Sequence, residues 1–470
     1  MTTRSLQKLA SRTSGPEPAG GFPVLEGGLP VIGHLYEMYR SFPELCARGA
    51  AAHGPNFYIE AGPGVRQLMC TAPTALQVLK HSAASTSFYA EGFSALLEGT
   101  LFALDGDEHR GVRQAITPPF TPQRVRRSDV VSIVVDAHRR RIDSWLRRRE
   151  FDVVTETREI ALEIIFRILG VPPVHLPQWE RQYNRYLVAG LPANVLKGPL
   201  YWYAIRARTW IDEHLGAMVD ELRASGDGST LAGAMANARG EDGRLLERDA
   251  AVRNLRVLVF AGHETTASAI AWSTLHLASS NELQQRAVAE VQGMDDLGAV
   301  ATDGARFTFA EAMFREALRL YPPVHSVIRR ARGPIDLDGA TIPENTLVNI
   351  PIVHLLREPA RFPNPGRFDA DRWIERPRPG TVETAMFGGG PHFCLGYHIA
   401  ITEGTLFNLL LARALHRNKL VLERVDDGPV PTPTYLPLTH PPRNTMMRFV
   451  PSSRNDFHSE GFEHARYADQ

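Results

Sequence analysis

Apolar side chains recur at helical spacing through most of the middle of the chain. DVVSIVVDAHRRRIDSWLRRR (residues 129–149) and TREIALEIIFRILGV (157–171) both place them three and four apart, the repeat of one helix face. AVRNLRVLVFAGHETTASAIAWSTLHLASS (251–280) is nearly without a polar face up to Phe260. A helix that is apolar all round is buried, so this one is expected at the centre of the molecule. Strand-like runs are shorter: NFYIEAG (56–62), RQLMCTA (66–72), IDLDGATIPENTLVNI (335–350) and TMMRFV (445–450). Residues 359–380, rich in Pro, Arg and aromatics, are expected to be irregular but packed. Residues 1–30 are Gly- and Pro-rich and read as an extended arm, and residues 452–470 read as a loose polar tail. No internal repeat or long linker interrupts residues 31–451. The expected fold class is mainly α with a small β region, in one large domain.

Composition narrows the function. The 470 residues are 43% hydrophobic and 22% charged, enough to bury a large core, which excludes wholesale disorder and a small disulfide-stapled scaffold. Lys+Arg and Asp+Glu are both 52, and a chain of zero net charge is a poor match for nucleic acid. The three cysteines, Cys46, Cys70 and Cys394, are too few for a disulfide framework or a zinc knuckle and fit a reducing compartment. No run reaches the roughly 18 uninterrupted apolar residues of a membrane span. The first residues also lack the apolar stretch of a signal or anchor. The expectation is a cytoplasmic protein without a membrane anchor.

One cysteine stands out. In FGGGPHFCLGYHIA (387–400), three glycines and a proline form a turn, and an apolar helix begins directly after Cys394. Taken alone, such a cysteine would be a small buried hydrophobe. A thiol at a helix start meets free N–H groups and the positive dipole end, which favour thiolate. The glycines let a flat ligand come close to the backbone. A thiolate presented this way suits the axial position of a haem iron.

Residues 387–396 resemble the haem-ligand signature of the cytochrome P450 superfamily, with Phe387, Gly390, Cys394 and Gly396 in its four fixed places. The resemblance extends from about Pro23 to Val450. It implies a single prism-like domain holding haem b between a long central helix and the cysteine loop. Cys394 would be the axial ligand, Phe387, Gly388 and Gly396 would flank the haem, and His392 would bond a propionate. His109 and Arg113, four apart in DGDEHRGVRQAI, and Arg329 match further propionate partners, although the adjacent Arg330 leaves that register open. Glu316 and Arg319 in REALRLYPP can pair across one helix turn and resemble the family's Glu-x-x-Arg motif. Arg367 in NPGRF matches that motif's third, structural partner.

AGHETT (261–266) interrupts the apolar central helix. Gly262 costs about 1 kcal/mol relative to alanine there, and the room it leaves is expected to let Ala261 and Gly262 lie close to the haem and admit dioxygen. Thr265 can donate to the Ala261 carbonyl and open the helix locally. Glu264 is an ionisable group in an apolar stretch, expensive unless used. The segment resembles the family's oxygen-activation motif, which implies that Thr265 and Glu264 are catalytic and deliver protons.

The resemblance thus implies a monooxygenase that hydroxylates or epoxidises a lipophilic small molecule with dioxygen. Phe88, Tyr89, Phe93, Leu96, Leu97, Val257, Ala261, Val324, Val327 and Leu436 are the expected pocket wall, and residues 195–210 would border an access channel. No flavin or ferredoxin domain is appended, so electrons would come from a ferredoxin and its reductase, or from a flavodoxin-type donor. Arg110, Arg124, Arg126 and Arg127 are the expected docking set. A peroxide-using or dioxygen-independent haem-thiolate enzyme, and a haem-binding protein without turnover, are the alternatives.

Overall fold

Helices fill most of the chain between Leu35 and Asn418, and ten of them bear on the site: α1 (Leu35–Arg40), α2 (Gly106–Ile116), α3 (Pro122–Arg127), α4 (Val130–Arg148), α5 (Val153–Leu169), α6 (Leu176–Leu187), α7 (Pro199–Ser225), α8 (Arg248–Ala278), α9 (Phe309–Leu320) and α10 (Tyr397–Asn418). The computed structural model describes residues 19–452 apart from 128, 189–197, 303–307, 376–378 and 427. Residues 1–18 of the expected arm, residues 453–470 of the expected tail and residues 195–197 of the expected channel border lie outside that set.

The long apolar stretch is one helix of 31 residues, α8, buried on successive faces from Ala250 to Leu277. It packs against α5, α7, α9 and α10. Sequence explains the neighbour on one side: α5 begins where Asp152 accepts the Val154 N–H, and twelve of its seventeen residues are buried. On the other side α4 and α10 meet through Trp145, which stacks on Phe151 at 4.2 Å and meets Phe407 edge-on at 6.1 Å.

The β structure is small and peripheral. Strands β1 (Asn56–Glu60), β2 (Arg66–Cys70), β3 (Ala84–Ser85), β4 (Glu150–Asp152), β5 (Val327–Ala331), β6 (Ile335–Leu337), β7 (Ala340–Ile342), β8 (Leu347–Ile350), β9 (Leu420–Arg424) and β10 (Met446–Pro451) form three sheets. The largest has the order β1-β2-β8-β5-β3, with β2 and β8 parallel and Leu68 opposite Val348. A second has the order β4-β10-β9, and β6-β7 is a hairpin. β3, β4 and β9 carry little alternation of their own and owe their pairing to tertiary contacts.

The arm is less free than its composition suggests. Phe22 packs edge-on to Tyr58 at 6.2 Å, and Leu25 N–H donates to the Tyr58 carbonyl at 2.8 Å, so Phe22–Leu25 lies along β1. Residues 359–380 hold one turn of helix, Asp371–Ile374, and bury Phe362, Ala370 and Trp373. Among the described residues no helix is long and apolar enough to cross a membrane.

Candidate active site around Cys394

The loop before α10 is built by close backbone approach. Gly390 sits at φ +61°, and a Cβ there would lie 2.2 Å from the Leu79 carbonyl oxygen, so only glycine fits. The Cys394 N–H donates to the Phe387 carbonyl at 2.9 Å, and Gly396 caps α10. The helix start alone does not secure a thiolate. Burial pushes the Cys394 thiol up from its ordinary value, against the opposing pull of the Gly396 N–H and of Arg113. Desolvation outweighs both, so a thiolate here calls for a cation in direct contact, and a bound metal ion deprotonates a thiol outright.

Above the loop, α2 and β5 bring four bases together. The His109 and His392 rings lie 4.0 Å apart, and His109, Arg113 and Arg329 all act on His392. Arg329 is 4% exposed and spends one N–H on the Ile328 carbonyl, whereas Arg330 turns out to Glu91 at 2.7 Å, which settles their register. The His109 Nε2 is buried with no partner. Burial and the neighbouring cations hold His392 down to about 3 and lower His109 as well. The carboxylate that opposes them is Asp105, itself committed to Ser85 at 2.6 Å and to Thr86. With both rings held neutral, the positive charge here is that of Arg113 and the buried Arg329, and the two propionates of a haem would match it, with the two imidazoles as neutral N–H donors. Cys394 would supply one ligand to an iron whose other ligands come from a porphyrin. The residues fit the group.

Behind the loop, Glu316 and Arg319 are both 0% exposed and paired at 2.7 Å and 2.8 Å. Trp373 Nε1 and the Asp369 N–H also donate to Glu316, and Arg319 donates to the carbonyls of Leu356, Pro365 and Arg367. The expected role of Arg367 is corrected here: its carbonyl accepts from Arg319, while its exposed side chain acts on Asp371 rather than on Glu316. The guanidinium that approaches Glu316 is that of Arg372, at 3.4 Å. Arg372 lies within the turn that starts at Asp371 and precedes the buried Trp373, a pairing of Arg with Trp that the sequence displays in DRW.

On α8, Thr265 donates to the Ala261 carbonyl at 2.5 Å. Gly262 also packs against α5. A Cβ there would meet the Ile165 side chain at 3.3 Å. Glu264 is 7% exposed and receives Arg158 of α5 at 2.5 Å; His263 Nδ1 lies 3.5 Å away and His440 Nε2 4.0 Å away. Burial raises Glu264 above the usual carboxylate range despite Arg158 and Arg443, and holds His440 near 4 and His263 near 3. Arg158 lies 106 residues from Glu264, and no local pattern announces it.

The pocket residues divide. Phe88 meets Tyr89 at 5.5 Å and Phe93 at 6.5 Å, and the Tyr89 hydroxyl accepts the Ile328 N–H at 3.0 Å, which ties this cluster to β5 and the buried Val327. Leu96, Leu97 and Val257 are buried, while Ala261 is half-buried. The segment carrying Leu96 and Leu97 is held by residues the sequence does not flag: Asn254 accepts the Leu101 N–H at 2.9 Å, and Arg253 donates to the Gly99 carbonyl at 3.2 Å. Tyr186 reaches the Leu96 carbonyl at 3.4 Å. Two of the expected residues differ in setting. Val324 is 40% exposed while the neighbouring His325 is buried, and Leu436 packs beside Tyr435 and Phe42. Of the expected docking set, Arg124 and Arg126 are exposed on α3, Arg127 lies at its end, and Arg110 is paired with Asp107 at 2.7 Å.

Comparison with known proteins agrees with this geometry. Residues 197–448 match the family model described as Cytochrome P450. The chain is 32% identical to the "Cytochrome P450 BJ-4 homolog" of Sinorhizobium fredii over 91% of this chain and 96% of that protein. It is 25% identical to the cyclooctat-9-en-7-ol 5-monooxygenase of Streptomyces melanosporofaciens over 86% and 91% respectively. The solved structure of the retinoic acid-bound cyanobacterial CYP120A1 superposes with a TM-score of 0.74 at 20% identity, covering 92% of this chain and all of that one. With the cysteine loop, its four bases and the central helix in place, the chain belongs to the cytochrome P450 family, as a haem-thiolate monooxygenase that carries haem b and requires dioxygen and an electron donor.

Proposed function

We propose that this monooxygenase acts in the cytoplasm on a lipophilic small molecule of terpenoid, steroid, polyketide or fatty-acid character, hydroxylating or epoxidising it in natural-product tailoring. The observation that carries the reading is the apolar line of Val257 and Ala261 leading along α8 to Thr265 and Glu264. In this reading the mutually packed rings of Phe88, Tyr89 and Phe93 form the opposite wall of the pocket. The likeness to a cyclooctat-9-en-7-ol 5-monooxygenase supports an alicyclic alcohol as the first class to try.

When bound, the haem supplies the activation of dioxygen and the transfer of one oxygen atom to carbon. The overall change takes one substrate, one dioxygen, two electrons and two protons to oxygenated product and water. The protein's part is to bring the protons and keep other water out. Thr265, its own proton given to Ala261, offers its oxygen lone pairs to a proton donor beside the reacting oxygen. Glu264 holds a proton nearer neutrality than an ordinary carboxylate does, which suits a group that passes protons inward from the His440 side. The four bases and Cys394 hold the cofactor, while the buried side chains of Leu96, Leu97 and Val257 exclude solvent. The exposed Arg124 and Arg126 present a positive surface to an acidic ferredoxin, with a ferredoxin reductase or a flavodoxin-type donor completing the chain.

The test is turnover with ferredoxin, its reductase and isotopically labelled dioxygen over a panel of alicyclic alcohols, sterols and fatty acids. One labelled oxygen in the product of a lipophilic substrate is expected. Turnover confined to small polar substrates would overturn the substrate class.

A further inference from the structure

Ionisable side chains from four segments surround the buried carboxyl of Glu264. Arg158 of α5 donates to it at 2.5 Å, and its α8 neighbour His263 stands 3.5 Å away. From α6 comes Tyr183, whose ring lies 6.4 Å from that of His263 and whose hydroxyl is buried with no partner. The segment before β10 contributes His440, with Nε2 4.0 Å from Glu264, and Arg443, which acts by charge from an exposed position. A proton that Glu264 gives up has to be replaced from solvent, and burial limits the groups that can carry it.

Elimination leaves one carrier among these described residues. The guanidinium groups of Arg158 and Arg443 stay protonated at any ordinary pH and offer no lone pair to take a proton. Tyr183 is 0% exposed and His263 1%, so neither meets water. The His440 side chain lies beside Glu264 and is also 23% exposed. Burial, with Arg158 and Arg443 adding to it, holds His440 near 4, so its ring is neutral at ordinary pH. A neutral imidazole has one N–H donor and one acceptor nitrogen, the pair a relay needs.

The backbone fixes where that ring stands. The Thr439 carbonyl accepts the hydroxyl of Ser268, one helix turn beyond Glu264 on α8, at 2.5 Å. The Thr439 N–H donates to the Pro323 carbonyl at 2.9 Å and its hydroxyl to the Pro322 carbonyl at 2.7 Å. His440 and Thr434 then exchange N–H···O bonds of 2.9 and 3.0 Å. The helix that carries Glu264 thus also holds the segment that carries His440.

We propose that His440 is the relay through which Glu264 draws its protons from solvent, which rests on the reading of Glu264 as the group that delivers them. The Nε2–H bond breaks as its proton passes to the Glu264 carboxylate, across a gap that a small ring rotation or one water closes. Nδ1 takes a solvent proton in exchange. The ring is neutral before and after, with its proton on the other nitrogen, and exchange with water restores the first tautomer.

The test is infrared spectroscopy of the full-length holoprotein under carbon monoxide, mixed rapidly with deuterium oxide at a mildly acidic pH where Glu264 carries its proton. Loss of the carboxyl band in E264Q assigns it. H440N should exchange that proton for deuterium about tenfold or more slowly, whereas R443Q should exchange as the wild type does. A merely structural His440 predicts the opposite sign, because a loosened segment would admit water and speed the exchange. In turnover of a substrate from the panel above, H440N should divert reductant from product to hydrogen peroxide, and should have no further effect in the E264Q background. An unchanged reduced carbon monoxide spectrum in each variant certifies the fold. Exchange in H440N as fast as in the wild type, or faster, would overturn the relay. Wild-type coupling of reductant to product in E264Q would instead overturn the reading on which it rests.

Discussion

The two sides of the site are built on opposite principles. On the cysteine side, Glu316 has its oxygens committed to Arg319, Trp373 and the Asp369 N–H, and neither Glu316 nor Arg319 is exposed to solvent. On the α8 side, Glu264 is held by one arginine at its edge, faces two histidines kept neutral by burial, and is raised toward neutrality. A buried carboxylate whose lone pairs are all filled is fixed in place, whereas one that is partly filled can exchange a proton. The contrast separates a frame from a moving part.

Breaking the frame gives the largest effect. Glu316→Gln leaves Arg319 buried without its counter-charge, which is expected to cost about 3–5 kcal/mol and to abolish haem retention, read as loss of the Soret band in the purified protein. Within the same frame Arg372→Gln should lower stability by about 1–3 kcal/mol in denaturant titration, and Arg367→Gln should stay within about 0.5 kcal/mol. Equal losses would mean that Arg367 also acts on Glu316 through its side chain.

Disturbing the moving part gives smaller, functional effects. Thr265→Ala should keep its haem spectrum and consume reductant, with the fraction appearing as product reduced about tenfold or more. Undiminished coupling would remove Thr265 from proton delivery. Arg158→Gln takes away the attraction that opposes burial of Glu264. The carboxyl then rises further, and the pH profile of product formation should move to higher pH without loss of haem.

The smallest effect concerns a group outside both. His138 on α4 is buried with both ring nitrogens unpartnered, and burial holds it at about 3 against an ordinary 6.5. A histidine depressed on folding stabilises the protein above its unfolded value and loses that contribution as pH falls through the window toward 3. His138→Leu should therefore flatten the acid side of the stability curve, measured by denaturant midpoints, by at most about 1.4 kcal/mol per pH unit. An unchanged acid slope would contradict its burial as a neutral ring.

The same contrast explains what the sequence displayed. Cys394, Phe387, Gly390 and Gly396 lie within ten residues, and Glu316 and Arg319 within one helix turn, so local spacing carries them. The apolar run of α8 is equally plain, because a helix buried on all sides needs no partner to be seen. Arg158, Asn254 and His440 matter through tertiary contacts over long separations, which single-chain periodicity does not encode. Gly262 and Arg367 show the converse. Each stands where a motif suggests a role, and a neighbour the motif does not reveal, Ile165 for Gly262 and the Arg319 guanidinium for the Arg367 carbonyl, lies in another element. Short strands such as β3 and β4 were invisible for a related reason: two or three residues have no period.

The most direct test of the account is the absorption spectrum of the dithionite-reduced protein under carbon monoxide, recorded for the wild type and for Cys394→Ala. The account predicts a strongly red-shifted Soret band that Cys394→Ala abolishes. A band in the position of histidine-ligated haem, or the same red-shifted band in Cys394→Ala, would contradict it.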